Sequence, residues 1–280
     1  MNKLKGFAAI IGSALAFGFS TIVVKLAMNE GLDPFAFSVV SMFFVAAFLL
    51  PYYATLKKPR LTKKDWRDFV LLGVSASGLA HLAYTFALNY TSAINFSFLS
   101  QTVPLFTIMF AFFMLGERLK KWHIVAGAVM LAGVFLVSTG GEQMALQLGD
   151  MLLIGGAIVL GFTNVVAKKL MKRHSAGVIA FWRAVFGAAS LLVVALLLGV
   201  DLFPVIGAYS AASGFLVAVI FMCVYISLRE LGASLASLLF LVAPLFSVVL
   251  AVVILGEALL FMQVIGGILI LLGALLIYRS

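Results

Sequence analysis

Long runs of apolar residues determine which kind of fold this chain can form. Ten stretches of about 20 mostly apolar residues follow one another, and a helix of that length crosses the ~30 Å hydrocarbon layer of a bilayer. Hydrophobic residues make up 64% of the 280 residues and charged residues 10%, whereas a soluble domain is about 45–50% apolar and about 25% charged. We therefore predict an all-α integral membrane protein with ten transmembrane helices. The predicted spans are Gly6–Met28, Pro34–Thr55, Phe69–Leu88, Ala93–Leu115, Trp122–Ser138, Gly149–Leu170, Ala176–Leu198, Tyr209–Leu228, Ala233–Leu255 and Phe261–Tyr278.

The same pattern excludes several other classes of protein. Strands of an outer-membrane barrel alternate apolar and polar residues, whereas the apolar runs here are continuous. Cys223 is the only cysteine, which excludes a disulfide scaffold, and the high apolar content excludes intrinsic disorder. The longest loop, from Leu56 to Asp68, is too short to form a soluble domain.

The distribution of lysine and arginine predicts the orientation in the membrane. If the N-terminus is inside and the chain crosses ten times, all but two of the 19 basic residues fall on the inner side. The exceptions are Lys25 and Arg183, which lie within predicted spans, and Lys25 is expected to extend outward to the interface. By the positive-inside rule, both termini are predicted to be cytoplasmic in a multi-pass protein of the inner membrane. The net charge of +9 is therefore a topological signal, and no nucleic-acid partner is expected. The predicted outer loops carry only acidic charges: Glu30, Asp33, Glu142, Asp150, Asp201 and Glu257.

The chain contains an internal repeat. Pro104-Leu105-Phe106 matches Pro244-Leu245-Phe246, and Leu115-Gly116-Glu117 matches Leu255-Gly256-Glu257, both at one constant offset in the numbering. Upstream, the segment that begins at Gly18 matches the one that begins at Gly161, at a slightly larger offset. We predict two five-helix units, residues 1–140 and 141–280. Because five is odd, the second unit enters the membrane from the opposite side, an arrangement typical of secondary transporters. Duplication without a role in transport is the alternative.

These features resemble a known family. Ten spans, two five-helix halves and the Pro-Leu-Phe…Leu-Gly-Glu motif in the fourth helix of each half are similar to the EamA branch of the drug/metabolite transporter superfamily. The resemblance covers the whole chain, and it implies a metabolite carrier, often an amino-acid exporter, with a central cavity between the halves. Members often carry an arginine early in the second helix of each half. Arg183 fits this pattern, but its counterpart at the Gly18-to-Gly161 offset is Val40, so a role that needs both arginines is not expected.

The predicted function is therefore secondary transport of a small metabolite, an amino acid or another carboxylate-bearing compound, exported by alternating access. An intramembrane enzyme and a channel are the alternatives. A metalloprotease would need a pattern such as His-Glu-x-x-His, which is absent. The segment Gly73–Gly78 with His81 is a weak candidate for a serine nucleophile and its base, and small residues for helix packing are the alternative reading of that segment. The sequence has no phosphate-binding loop that would indicate an ATPase.

Polar side chains within the spans are the candidates for a substrate site. A guanidinium is costly in a membrane and faces a partner or water, and its fork suits a carboxylate or phosphate, although extension to the inner surface is the alternative for Arg183. Ser77, His81 and Tyr84 share one face of the third helix. For each polar residue, hydrogen bonding between helices competes with a role in the cavity. The predicted cavity residues are Ser20, Ser77, His81, Tyr84, Asn95, Gln101, Asn164, Trp182 and Arg183.

Two repeated residue pairs are predicted to take part in conformational change. Pro104 and Pro244 each remove a hydrogen bond from a helix, which produces either a hinge or a packing kink. Glu117 and Glu257 follow a glycine at a helix end, where a carboxylate either caps the next helix or forms a gate contact.

The sequence predicts no cofactor and no metal site, and it leaves the oligomeric state open. No Asp or Glu lies deep in a predicted span, which disfavours coupling to protons through a carboxylate. Among residues within the spans, His81 is then the obvious side chain whose reference pKa lies near physiological pH.

Overall fold

The computed structural model describes residues 3–56, 60–116, 121–140, 147–231, 236 and 239–279. Regular structure in these ranges is helical, and the helices are numbered in chain order. A short 3₁₀ turn, Phe203–Val205, precedes α8. The helices are α1 Lys3–Asn29, α2 Pro34–Thr55, α3 Lys63–Tyr90, α4 Ala93–Met114, α5 Lys121–Thr139, α6 Leu148–Met171, α7 Ala176–Leu198, α8 Ala208–Leu231, α9 Ala243–Leu255 and α10 Phe261–Arg279.

Eight helices of the described chain, α1 to α8, are long and apolar enough to cross a membrane. The apolar parts of α9 and α10, Ala243–Leu255 and Phe261–Leu276, are shorter. The predicted ninth span begins at Ala233, and residues 232–235 lie outside the described residues. The prediction of an all-α membrane protein is confirmed, and a count of ten membrane crossings stays a prediction.

Polar side chains determine where α2 and α3 begin. Asp33 accepts a hydrogen bond from the Ala36 N–H at the start of α2, and Pro34 occupies a first-turn position that tolerates proline. Thr62 and Asp65 form a reciprocal capping box at the start of α3. This box explains why α3 begins at Lys63 rather than at Phe69, as the apolar pattern predicted.

In α4 and in α9, a helical segment begins at the residue before the proline. In α4, a 3₁₀ turn at Ser100–Thr102 precedes the segment Val103–Leu115, and Pro104 lies in the first turn of that segment. Pro244 occupies the same position in the segment Ala243–Leu250 of α9. Both helices end at a glycine with a φ of 67°, Gly116 and Gly256, a left-handed conformation that glycine adopts without a Cβ clash. The prolines therefore begin new helical segments rather than kinking continuous helices.

Close backbone approaches between helices occur in pairs related by the repeat. A Cβ on Gly18 of α1 would lie 3.2 Å from the Ser247 nitrogen of α9. A Cβ on Gly161 of α6 would lie 2.8 Å from the Thr107 nitrogen of α4. Gly18 and Gly161 begin the matching upstream segments, and Thr107 and Ser247 each follow directly after a Pro-Leu-Phe motif. The matching glycines of α1 and α6 therefore each lie against a helix that carries a Pro-Leu-Phe motif, α9 and α4.

Helices α5 and α10 cross in the same reciprocal manner. A Cβ on Gly133 would lie 2.5 Å from the Gly266 carbonyl oxygen, and a Cβ on Gly273 would lie 2.8 Å from the Ala126 carbonyl oxygen. The Pro104-to-Pro244 offset relates Gly133 to Gly273 and Ala126 to Gly266. Because only glycine leaves room for such contacts, small residues determine how closely these helices pack.

Candidate functional site

A cationic cluster forms where α3, α7 and α8 meet. The Arg183 Nε donates a hydrogen bond to the Ser77 Oγ at 2.9 Å, and its Nη1 donates to the Tyr225 Oη at 3.3 Å. The guanidinium carbon lies 4.1 Å from the centre of the Phe221 ring, within the range of a cation–π contact. The close approach of Gly187 in α7 to Ser77 in α3 allows this geometry.

His81 extends the cluster to α2. It lies one helical turn after Ser77, and its Nε2 is 3.2 Å from the Ser41 Oγ. When α2 and α7 are aligned at their N-caps, Asp33 and Ser175, the position of Arg183 corresponds to that of Ser41. The offset of the upstream sequence motif makes Val40 the counterpart of Arg183 instead. At the register of the N-caps, the counterpart of Arg183 is the neutral hydroxyl of Ser41.

The Arg183 guanidinium has no acidic partner within the described part of the chain. Its polar contacts are the two hydroxyl groups of Ser77 and Tyr225, and its side chain is half-buried. A guanidinium has five N–H donors, so donors remain for an anionic ligand. We call Ser41, Ser77, His81, Arg183 and Tyr225 the arginine cluster.

Trp182 and Tyr84, two other predicted cavity residues, lie in aromatic contacts. The Trp182 ring packs at 4.7 Å from Trp66 and at 6.0 Å from Tyr53, between ring centroids. The Tyr84 ring packs edge-on against Phe96 at 5.2 Å. The Tyr84 Oη and the Trp182 Nε1 are buried without a hydrogen-bond partner among the described residues.

The other predicted cavity residues lie apart from the arginine cluster. Ser20 is buried in α1, and Gln101 is buried in the 3₁₀ turn of α4, where its Nε2 is 3.4 Å from the Ser100 Oγ. The exposed Asn164 donates to the Thr107 Oγ1 at 3.2 Å, between α6 and α4. Asn95 is buried, and its Oδ1 accepts a hydrogen bond from the Gln263 Nε2 at 2.7 Å.

Charged groups converge on the short junction between α3 and α4. The two Glu257 carboxylate oxygens accept hydrogen bonds from the Ala93 and Ile94 N–H groups, at 2.8 and 3.0 Å. A carboxylate is stabilised there by the helix dipole, so Glu257 caps α4 and not the following helix α10. Its repeat counterpart Glu117 lies outside the described residues.

Lys25 binds the same junction from α1. Its Nζ donates hydrogen bonds to the Leu88 and Thr91 carbonyl oxygens, at 2.9 and 2.8 Å, at the C-terminal end of α3. A cation is stabilised at that end of a helix. Lys25 therefore points into the protein, which corrects the sequence expectation that it extends outward.

Sequence reasoning missed two further polar contacts. Asp150 was assigned to an outer loop, but it lies in the first turn of α6 with no exposed surface and accepts a hydrogen bond from the Thr91 Oγ1 at 2.7 Å. Arg173 makes ion pairs with Asp65 and Asp68 at 2.6 and 2.9 Å. Neither contact has a local motif, because the partners are far apart in the sequence. Among the described residues, no three potential metal ligands converge.

Comparison with models of protein families identifies the family of this chain. A model described as the EamA-like transporter family matches residues 4–139 and, a second time, residues 147–279. The chain belongs to the EamA-like transporter family. The resemblance seen in the sequence is thereby confirmed, and this family is part of the drug/metabolite transporter superfamily.

Relatives of this EamA-like protein span almost its full length. An uncharacterized transporter of Clostridium kluyveri is 30% identical, over 99% of this chain and 94% of the relative. An uncharacterized transporter of Methanothermobacter thermautotrophicus is 25% identical, over 99% of this chain and 87% of the relative. A solved crystal structure with a TM-score of 0.67 and 21% identity covers 98% of this chain and 96% of that one, which shows a shared fold. The EamA-like protein is thus a multi-pass membrane transporter.

Proposed function

We propose that this EamA-like protein is a secondary transporter that carries a small carboxylate-bearing metabolite, most simply an amino acid, through the arginine cluster. The observation that carries this proposal is Arg183, whose contacts within the described residues are neutral. A buried or half-buried cation needs a partner. A substrate carboxylate can accept two parallel hydrogen bonds from a guanidinium, a geometry that Lys does not reproduce.

Alternating access is the mechanism that we propose. Residues 1–140 and 141–280 would be two inverted five-helix units, ten membrane crossings in all. The two family matches and the paired close approaches of Gly18 with α9 and Gly161 with α4 support this division. Two related halves of opposite orientation provide two packing arrangements of similar energy, each open to one side.

During transport, side-chain contacts at the two ends of the helix bundle would form and break alternately. At one end, Glu257 and Lys25 tie the α9–α10 loop and α1 to the junction between α3 and α4. Glu117 would make the repeat-related contact at the other end. Pro104 and Pro244 begin helical segments about 15–20 Å along α4 and α9 from these contacts, at ~1.5 Å per residue, and segment starts support a role as hinges.

The basic inner loops favour a location in the inner membrane with both termini in the cytoplasm. The family resemblance favours export. Measurement of efflux from inverted and right-side-out vesicles would determine the direction.

The test uses purified protein in proteoliposomes and a panel of labelled amino acids and other small carboxylates. A carrier predicts saturable uptake and counterflow, whereas a channel predicts neither. For a carboxylate substrate, Arg183→Lys should raise KM about 10-fold and Arg183→Gln about 100-fold, because a hydrogen bond to a charged group contributes about 1.5–3 kcal/mol.

Arg67→Gln is the matched control, because the Arg67 side chain is 77% exposed and lies outside the cluster. It should transport like the parent. If both Arg183 variants, folded and inserted, keep the parental KM, the arginine cluster does not bind the substrate.

A further inference from the structure

Asp150 is a buried carboxylate that substrate binding does not use. It has no exposed surface and lies in the first turn of α6. Its Oδ1 accepts a hydrogen bond from Thr91, while its Oδ2 is buried without a partner among the described residues. An ionised carboxylate removed from water normally has its oxygens hydrogen-bonded, because an unpaired one is costly.

The surroundings of Asp150 can pair with a protonated carboxyl group. Ser138 at the end of α5 and Asn95 in α4 are polar side chains beside the carboxylate. The Ser138 Oγ is likewise buried without a partner in the described chain. A proton on the Asp150 Oδ2 supplies a donor for an acceptor such as this hydroxyl.

The charges around Asp150 do not balance when it is ionised. Lys25 reaches the site from α1, and the Glu257 carboxylate from the α9–α10 loop lies close enough to act on the Lys25 charge. Lys25 and Glu257 already form a balanced pair of charges, and Asp150 shares only Thr91 with Lys25. An ionised Asp150 would therefore add a negative charge to this junction, and a proton on Asp150 removes it. His81, Tyr84 and Tyr90 are the titratable groups of α3 on the same half of that helix.

The residues that correspond to Asp150 and Thr91 at the repeat-related position are apolar. A Cβ on Gly149 would lie 2.8 Å from the Thr91 nitrogen, and a Cβ on Gly6 would lie 2.6 Å from the Leu231 side chain. At the offsets of the two repeated segments, Phe7 corresponds to Asp150 and Leu231 to Thr91. At that crossing, apolar residues stand where Asp150 and Thr91 do, and the Glu230 Cβ would also lie 3.1 Å from a Cβ on Gly6.

We propose that Asp150 is a proton-binding site through which this transporter couples proton movement to transport. The proposal rests on the proposed function. Thr91 connects Asp150 to the contact between α1 and the α3–α4 junction. Its hydroxyl donates a hydrogen bond to Asp150, while its carbonyl oxygen accepts one from Lys25. In the conformation described here, the Asp150 Oδ2 carries the proton. Its release to water leaves a carboxylate that attracts Lys25 away from the α3 carbonyls, which weakens the junction.

The first test measures the proton itself, without a substrate. Infrared difference spectra of the protein in liposomes, recorded during a pH titration, report the carbonyl stretch of a protonated carboxyl group. We expect such a band in the parent, its loss in Asp150→Asn, and a shift in Ser138→Ala. Asp201→Asn is the matched control, because Asp201 is an exposed acid whose carboxylate accepts a backbone hydrogen bond. A band that persists in Asp150→Asn overturns the proposal.

The second test measures coupling in proteoliposomes, with each labelled amino acid that the parent exchanges. An imposed pH gradient should drive parental accumulation, and Asp150→Asn should lower the accumulation ratio to one while exchange at equal pH continues. Accumulation by Asp150→Asn, accumulation that follows a sodium gradient instead, or no accumulation by the parent overturns the coupling. If the parent exchanges no compound of the panel, the proposed function fails, and coupling fails with it. The infrared band still decides whether Asp150 binds a proton.

Discussion

Glu257→Gln should loosen the contact between the α9–α10 loop and α4. The carboxylate accepts two hydrogen bonds, from Ala93 and Ile94, and the amide of glutamine has one acceptor oxygen. The substitution therefore removes one hydrogen bond to a charged group, which contributes about 1.5–3 kcal/mol. Another ~0.3–1 kcal/mol is lost because the charge at the start of α4 is removed. New hydration of the freed N–H group offsets part of this sum.

A net loss of about 1.4 kcal/mol corresponds to a tenfold larger population of the state that is open at this end. Ser97 reports on that state, because it is fully buried between α4 and α9 and donates to the Ser247 Oγ at 2.5 Å. The assay measures the rate at which a maleimide labels Ser97→Cys in liposomes, with Cys223 replaced by Ser. We expect labelling about 10-fold faster with Glu257→Gln.

The control is Glu30→Gln. Glu30 accepts a hydrogen bond from the Tyr209 hydroxyl and does not contact α4. This variant should leave the labelling rate unchanged. Equal rates in the parent and Glu257→Gln, or the same acceleration by both variants, would refute the reasoning that Glu257 holds the junction closed.

The repeat-related glycines and the topology give two further predictions. Gly161→Ala should lower the melting temperature by several degrees, because its Cβ would lie 2.7 Å from a Phe106 backbone carbon and overpacking costs about 1–3 kcal/mol. Gly18→Ala should lower the melting temperature less, because the shortest contact of its Cβ would be 3.2 Å. Equal decreases in the melting temperatures of the two variants, measured in detergent, would contradict this. A cysteine introduced as Lys64→Cys should resist an impermeant reagent added outside intact cells, and rapid labelling would overturn a cytoplasmic α2–α3 loop.

Helix composition and the repeated motifs could be predicted from the sequence because they are local. Apolar runs of membrane length predicted α1 to α8, with start sites close to those observed except in α3. The start of α3 was missed because Thr62 and Asp65 begin a helix with a polar first turn, which hydropathy alone treats as loop.

Long-range polar contacts could not be predicted in the same way. Arg183 was chosen as a charge within a span and His81 as part of a polar face of one helix, but their partners Tyr225 and Ser41 lie on other helices. Asp150 was placed in a loop because it stands near a helix end. Burial there depends on α3 and α5, which only the tertiary structure brings together.

The crossing of α5 and α10 restricts how these two helices move. Gly133 and Gly266 contact each other's backbone, so no flexible side chain lies between the helices at that point. Sliding by one turn would bring Met130 or Val137 of α5 into a space that fits a glycine. Rotation about the Gly133–Gly266 contact is also restricted, because α5 touches α10 a second time where Ala126 lies against Gly273. Ala126 lies about 10 Å along the axis from Gly133, at ~1.5 Å per residue, so a rotation of about 10° would shift it by ~2 Å. The two contacts therefore make α5 and α10 move together as one rigid pair.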